Sequence, residues 1–115
     1  MDLPATFEAL ITEANHLNLY KKLLLQLNKD FLLANVFFDL EAEISPSNLK
    51  LLLHETVYKL IQENFSEYLN LLYIVDVSEK QVKALDSSDP FKLSEAVSFL
   101  ILKRVWQKVW FRNTY

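Results

Sequence analysis

The two histidines are the first residues to test for chemistry, because each has a glutamate close by in the chain. His54 and Glu55 begin the HExxH pattern of zinc helices, but the second histidine of that pattern is replaced by Tyr58. Glu13 and His16 match one Glu-x-x-His pair of a di-iron bundle, and that site needs two such pairs and two further glutamates. The chain has no cysteine to supply a thiolate. We therefore expect no metal site and no cofactor.

The sequence also contains no glycine. Phosphate-binding loops and dinucleotide fingerprints need glycine where the backbone adopts a positive φ or touches a ligand, and the serine-hydrolase elbow needs it in a strained turn. All three motifs are therefore excluded. The carboxylates, including Glu63 and Glu67, show no sign of the pocket that an acid and base pair requires, and we expect them to be solvated. These observations predict a protein that is not an enzyme.

The C-terminal end of the chain carries the most distinctive surface. All 15 acidic residues precede position 96, so the basic residues that follow form a cationic end on an acidic body. Part of this bias suits the helix dipole, which favours cations near a helix C-terminus. Arginine beside exposed aromatic side chains is nevertheless typical of binding surfaces. Helical spacing predicts solvated cations on one ridge, and indoles packed against other helices or a second subunit. The candidate binding site is Lys103, Arg104, Trp106, Lys108, Trp110 and Arg112.

Three prolines mark predicted helix starts. Each is followed by apolar residues at spacings of three and four, and proline is favoured in the first helical turn. Ser45 and Asp89 are good N-caps before two of them, and Asn18 and Ser66 are predicted to begin two further helices. The predicted helices cover residues 4–15, 19–35, 46–64, 67–75, 79–85 and 91–112.

One stretch of the chain is open to a second interpretation. Residues 23–36 can also be read as two apolar strands around a turn at residues 28–30. We prefer a helix, because leucine outnumbers β-branched residues there and a lone hairpin is marginally stable. Residues 36–44 are predicted to be the end of this helix followed by an acidic connection.

The last predicted helix should lie at the centre of the fold. Its middle, residues 99–102, is a run of four apolar residues, and a helix that is apolar all round must be surrounded by others. We expect Leu100, in the middle of this run, to be buried. The 115 residues form one core and one domain, residues 1–115. The predicted fold class is all-α, a compact array or bundle of five to six helices around a central C-terminal helix.

The end of the chain resembles that of small uncharacterised bacterial all-helical proteins. The similarity lies in the segments LILKR at residues 100–104 and WQKVW at residues 106–110, and it covers the C-terminal third. The resemblance implies a helical fold and no particular activity.

These observations predict a small, non-enzymatic helical protein-interaction module of unknown role. Its partner is another protein or a second copy, bound through the C-terminal aromatic and basic helix. One alternative is nucleic-acid binding by the basic ridge, which the acidic body disfavours. Another is a carrier of an apolar ligand between helices. No apolar run approaches the about 20 residues of a membrane span, and the chain opens with an acid and lacks cysteine, so we expect a cytoplasmic protein.

Overall fold

The helices of the protein follow the predicted order closely. The computed structural model describes residues 2–114, and this part of the chain contains six helices and no strand. The all-α prediction is therefore confirmed, and the hairpin alternative is wrong because one helix runs through it. The helices are α1 (Phe7–His16), α2 (Tyr20–Leu33), α3 (Pro46–Glu63), α4 (Phe65–Val75), α5 (Glu79–Lys83) and α6 (Pro90–Thr114).

Two of the three predicted proline starts are confirmed. The side chains of Ser45 and Asp89 accept backbone N–H groups from the first turns of α3 and α6. Pro4, in contrast, does not begin a helix. The first helix begins later, at Phe7, because the hydroxyl of Thr6 caps it by accepting a backbone N–H three residues on.

Asparagine and aspartate replace glycine at the turns between helices. Asn18, Asn35 and Asp76 all have positive φ, between 57° and 70°, and short polar side chains tolerate this left-handed conformation better than others. Asn18 was predicted to cap the second helix, which is wrong, because it turns the chain after α1. The cap of α4 is Asn64, whose side chain accepts a backbone N–H from the first turn, and not Ser66.

The C-terminal helix α6 lies at the centre, in contact with α1, α2, α3 and α4. The radius of gyration is 13.3 Å, close to the about 13 Å expected for a domain of this length. Leu100 is only half-buried, so its predicted burial is wrong. It lies on the same strip of the helix as Lys103 and Gln107, which the neighbouring helices cover incompletely. The buried apolar side chains of α6 are Val97, Ile101, Leu102, Val105, Trp106 and Val109.

The connection between α2 and α3 is extended at its start, where the end of a helix was predicted. Val36, Phe38 and Leu40 are buried while Phe37 between them is exposed, which is the period of two of an extended chain. The side chain of Asn28 on α2 holds this segment in place. Its amide oxygen accepts the N–H of Leu40 at 2.8 Å, and its amide nitrogen donates to the carbonyl of Leu40 at 3.0 Å.

The far end of the same connection is held by Tyr20. Its hydroxyl donates to the carbonyl of Ile44 at 2.8 Å, which joins the start of α2 to the residues before α3. Burial raises the pKa of this phenol above its ordinary value, so the side chain is neutral at pH 7 and remains a donor. Both ends of the connection are therefore attached to α2.

Replacing Leu102 and Leu100 separately tests which side of α6 faces the core. Leu102→Ala should lower the free energy of unfolding by about 2 to 5 kcal/mol, because it removes most of a fully buried side chain and leaves a cavity. Leu100→Ala should lower it by about 1 kcal/mol or less, since this side chain is partly solvated already. Urea unfolding followed by circular dichroism measures both. Equal losses would mean that the rotation of α6 described above is wrong.

Candidate functional site

Lys108, part of the predicted binding ridge, is buried in an ion pair. Its Nζ lies 2.8 Å from Oδ2 of Asp30 on α2, and the two side chains are 18% and 5% exposed. The other oxygen of Asp30 accepts the amide of Gln26 at 2.8 Å, and the amide oxygen of Gln26 accepts Arg112 at 2.8 Å. Four side chains, two from each helix at a spacing of four residues, thus form one polar network. The prediction of a solvated cation is wrong for Lys108, because α2 supplies a buried carboxylate opposite it.

Arg104, a second member of the ridge, is bound to the end of α4. Its Nε donates to the carbonyl of Asp76 at 3.1 Å, and its NH2 group lies 3.0 Å from the carboxylate of the same residue. A third nitrogen donates to Gln107 at 3.2 Å. Asp76 is the left-handed residue that ends α4, so Arg104 stabilises this turn through both backbone and side chain. These contacts occupy the guanidinium, so its role is to stabilise the fold.

The two tryptophans of the predicted site occupy different environments. Trp106 is fully buried, and its indole N–H has no acceptor among the described residues. Trp110 is half-buried and meets the ring of Phe111 edge to face, with centroids 5.3 Å apart. Lys103 is half-buried, and its Nζ lies 5.4 Å from the centroid of the Phe99 ring. The structure therefore places Trp106 in the core and Trp110 at the border of the core.

The predicted site is thus distributed over three different settings. Trp106 is in the core, Lys108 and Arg104 are partly covered and bound to carboxylates, and Arg112 is exposed. Tyr115, the last aromatic residue of the chain, lies outside the described residues. A continuous cationic face for a partner is not formed, because carboxylates on α2 and at the end of α4 bind two of its members.

A serine and a histidine that are 40 positions apart meet between α3 and α6. His54 Nε2 lies 2.8 Å from the Oγ of Ser94 and 3.2 Å from the carbonyl oxygen of Phe91. The Ser94 hydroxyl donates to that carbonyl at 2.7 Å, and a carbonyl can only accept. With the Ser94 hydroxyl donating to the carbonyl, Nε2 is the donor to both oxygens, and in that tautomer His54 does not accept a proton from Ser94 through this nitrogen. The contact joins two helices, and nothing in the sequence pattern indicates it.

A cleft of about 340 Å³ opens beside this pair, between α1, α3 and α6. Its walls are mostly apolar, and charged side chains of both signs lie around them. The volume is at the lower end of the about 300 to 1,000 Å³ that ligand pockets occupy. Over the described residues no group of three side chains is placed to hold a metal ion. The residues that line the cleft include Phe7, Leu53, His54, Ala96, Phe99 and Leu102.

The most exposed apolar side chain lies elsewhere, on the connection after α2. Phe37 is 96% exposed, whereas its neighbours Val36 and Phe38 are buried. It borders a shallow groove whose other wall is α3 and the start of α4. Three glutamates and one lysine line this groove, and none of the four forms an ion pair within residues 2–114. The charged residues are Glu55, Lys59, Glu63 and Glu67. We call Phe37, Asp39 and these glutamates the Phe37 surface.

Sequence reasoning missed the Phe37 surface because the pattern that would indicate it is incomplete in the sequence. Alternate residues at 36, 38 and 40 are apolar, as in a strand with one buried face. Phe37 is apolar as well, so the alternation is broken in the sequence and appears only in the burial of the side chains. A continuous apolar run after a helix then suggests more helix.

Breaking the buried ion pair tests whether the ridge is structural. Lys108→Met should lower the free energy of unfolding by about 3 to 5 kcal/mol, because Asp30 keeps a buried charge without a cation. Arg112→Met should cost about 1 kcal/mol, because Arg112 is exposed and its partner, the amide of Gln26, is neutral. The double variant Asp30→Leu with Lys108→Met should recover most of the loss. Urea unfolding of all three gives the values, and a Lys108 variant as stable as the parent would show that the pair does not form.

Comparison with known proteins leaves the site to be interpreted from its own geometry. No family model, no curated protein and no solved structure matches this sequence. The resemblance of the C-terminal third to small bacterial helical proteins therefore stays a prediction.

Proposed function

We propose that the chain is a non-enzymatic protein-interaction module that binds its partner through the Phe37 surface. The observation that carries the proposal is the 96% exposure of Phe37 on a backbone held at both sides. Burying a phenylalanine side chain in an interface is worth about 1.5 to 3 kcal/mol. Large aromatic residues in a desolvated pocket commonly dominate the free energy of binding.

The Phe37 side chain is held in its exposed position by its neighbours. Phe38 stacks on Phe31 of α2 with ring centroids 4.2 Å apart, and Asn28 binds Leu40 through two hydrogen bonds. Turning Phe37 inward would turn these buried residues outward, because successive side chains of an extended segment point to opposite faces. A partner therefore meets a prearranged surface, and less conformational entropy is lost on binding.

The C-terminal helix gives less support to a binding role than the sequence suggested. Lys108 and Arg104 are bound to Asp30 and Asp76, and Trp106 lies in the core. Self-association through α6 and nucleic-acid binding by the ridge both need these side chains to be available. The interaction role thus moves from α6 to the connection after α2. The absence of cysteine supports a reducing, cytoplasmic setting, and no helix among the described residues combines the length and apolarity that crossing a bilayer requires.

Peptide selection on the immobilised full chain tests the role of Phe37. Peptides selected from a phage-displayed random library should bind about thirtyfold more weakly to Phe37→Ser, the effect of losing an aromatic residue worth about 2 kcal/mol. Fluorescence anisotropy measures the dissociation constants, and thermal unfolding of the variant should match the parent because Phe37 is solvated.

Tyr73→Ser provides the matched control, since Tyr73 is 81% exposed and borders a different groove. Its affinities should stay within about twofold of the parent. The proposal is overturned if no peptide is selected, or if the two variants weaken binding equally.

The cleft between α1, α3 and α6 supports a second candidate function, a carrier of a small apolar ligand. A neutral naphthylamine dye serves as the probe, because its fluorescence rises in an apolar site. Ala96→Phe should fill the cleft and abolish the rise, whereas Ala9→Phe on the exposed side of α1 should leave it unchanged. A dye signal that survives Ala96→Phe, or that is absent in the parent, would rule against this function.

A further inference from the structure

One edge of the segment at residues 36–40 is already used by α2. The N–H of Val36 donates to the carbonyl of Phe31 at 2.9 Å. The N–H and carbonyl of Leu40 are both bonded to the side chain of Asn28. In an extended chain, alternate residues direct their N–H and C=O groups to the same side. Residues 36 and 40 therefore define the edge that faces α2.

The opposite edge belongs to Phe37 and Asp39. Neither residue makes a backbone hydrogen bond to any other described part of the chain. Side chains of the described residues do not bond to them either, so two N–H groups and two carbonyls lack a partner there. Their two-residue spacing is the one by which an antiparallel strand exchanges hydrogen bonds. Such an unpaired edge is a template for a further strand.

The charges beside this edge decide what would pair with it. Asp39, Glu55, Glu63 and Glu67 lie at or near Phe37, against one lysine, Lys59. None of the four carboxylates has an ion-pair partner in the described residues. A second copy of this chain would bring the same carboxylates to the same place, and like charges disfavour that pairing. A cationic segment is instead attracted by these carboxylates.

We propose that the outer edge of Phe37 and Asp39 accepts an extended, lysine- or arginine-rich peptide of another protein as an added β-strand. The proposal rests on the interaction role of the Phe37 surface and adds the binding mode and the partner's chemistry. Backbone hydrogen bonds to residues 37 and 39 provide the register. An apolar side chain of the peptide packs beside Phe37, and its cations lie near the glutamates of α3 and α4.

A synthetic peptide of about eight residues, a usual strand length, is the probe. Pairs of valines alternate with pairs of lysines in it, so that each face of the strand carries both residue types. Two N-methylated versions carry the methyl groups on alternate sets of residues, so that each removes the N–H donors of one edge. The peptide that is methylated on the edge facing the protein should bind about tenfold more weakly for each hydrogen bond lost. The peptide that is methylated on the other edge should bind like the unmethylated peptide. Titration calorimetry gives the affinities. Equal weakening by both sets, or no binding of the parent peptide, would overturn the added strand.

The protein side of the same bond is tested at Asp39. Asp39→Pro and Asp39→Asn both remove the carboxylate, but only proline removes the N–H. Asp39→Pro should bind the peptide about tenfold more weakly than Asp39→Asn, the effect of one hydrogen bond. Equal affinities would contradict the proposal. Circular dichroism shows whether Asp39→Pro is folded, and if it is not, the N-methylated peptides decide.

Two further experiments test the charge of the partner and the interaction role independently of the binding mode. A matched peptide with glutamate in place of lysine should not bind, and light scattering should show that the free chain is monomeric. Binding of the acidic peptide, or pairing of two copies through residues 37 and 39, would overturn the proposed partner.

If selected peptides depend on Phe37 but tolerate N-methylation at either edge, the strand mode is wrong and the interaction role stands. If no binding depends on Phe37, the interaction role itself fails.

Discussion

The ion pair between Lys108 and Asp30 is the interaction on which the arrangement of the helices depends most. Two buried charges are costly to remove from water, and only a close pair with further hydrogen bonds offsets that cost. Gln26 donates a hydrogen bond to the second carboxylate oxygen of Asp30. It also accepts one from Arg112, one turn after Lys108 on α6. A shift of α6 along α2 would break both contacts and leave charge unpaired, so this network favours one register among several that apolar packing would accept.

The central position of α6 explains why the proposed binding surface lies elsewhere. A helix that contacts four others has little free surface, and its cations near the C-terminal end are partly used to bind α2 and α4. What remains available is the connection between α2 and α3. There, three buried side chains and Asn28 fix a short extended segment, and the same fixation presents Phe37 to solvent. The core thus determines the exposed surface indirectly.

Local signals predicted the helices well and the tertiary contacts poorly. The caps at Ser45 and Asp89 depend on residues only two or three positions away, so the sequence contains them directly. The partner of Lys108 lies 78 positions away, and its identity depends on how α2 and α6 are rotated against each other. Leu100 fails for the same reason, because apolar character on all sides of a helix does not indicate which strip its neighbours leave open. The contact between His54 and Ser94 also depends on how α3 and α6 pack, and their spacing in the sequence does not predict it.

The acidic surroundings of Phe37 also disfavour association of the open edge with other copies of the chain. An unpaired extended segment beside an exposed phenylalanine invites association with identical copies. The segment is short, however, and Asp39 stands on it while three unpaired glutamates lie near it on α3 and α4. Two copies that approached through this edge would bring these charges together in a desolvated interface, where repulsion is strongest. In the proposed binding mode, the same charges disfavour acidic strands and a second copy of the chain, and they favour cationic strands.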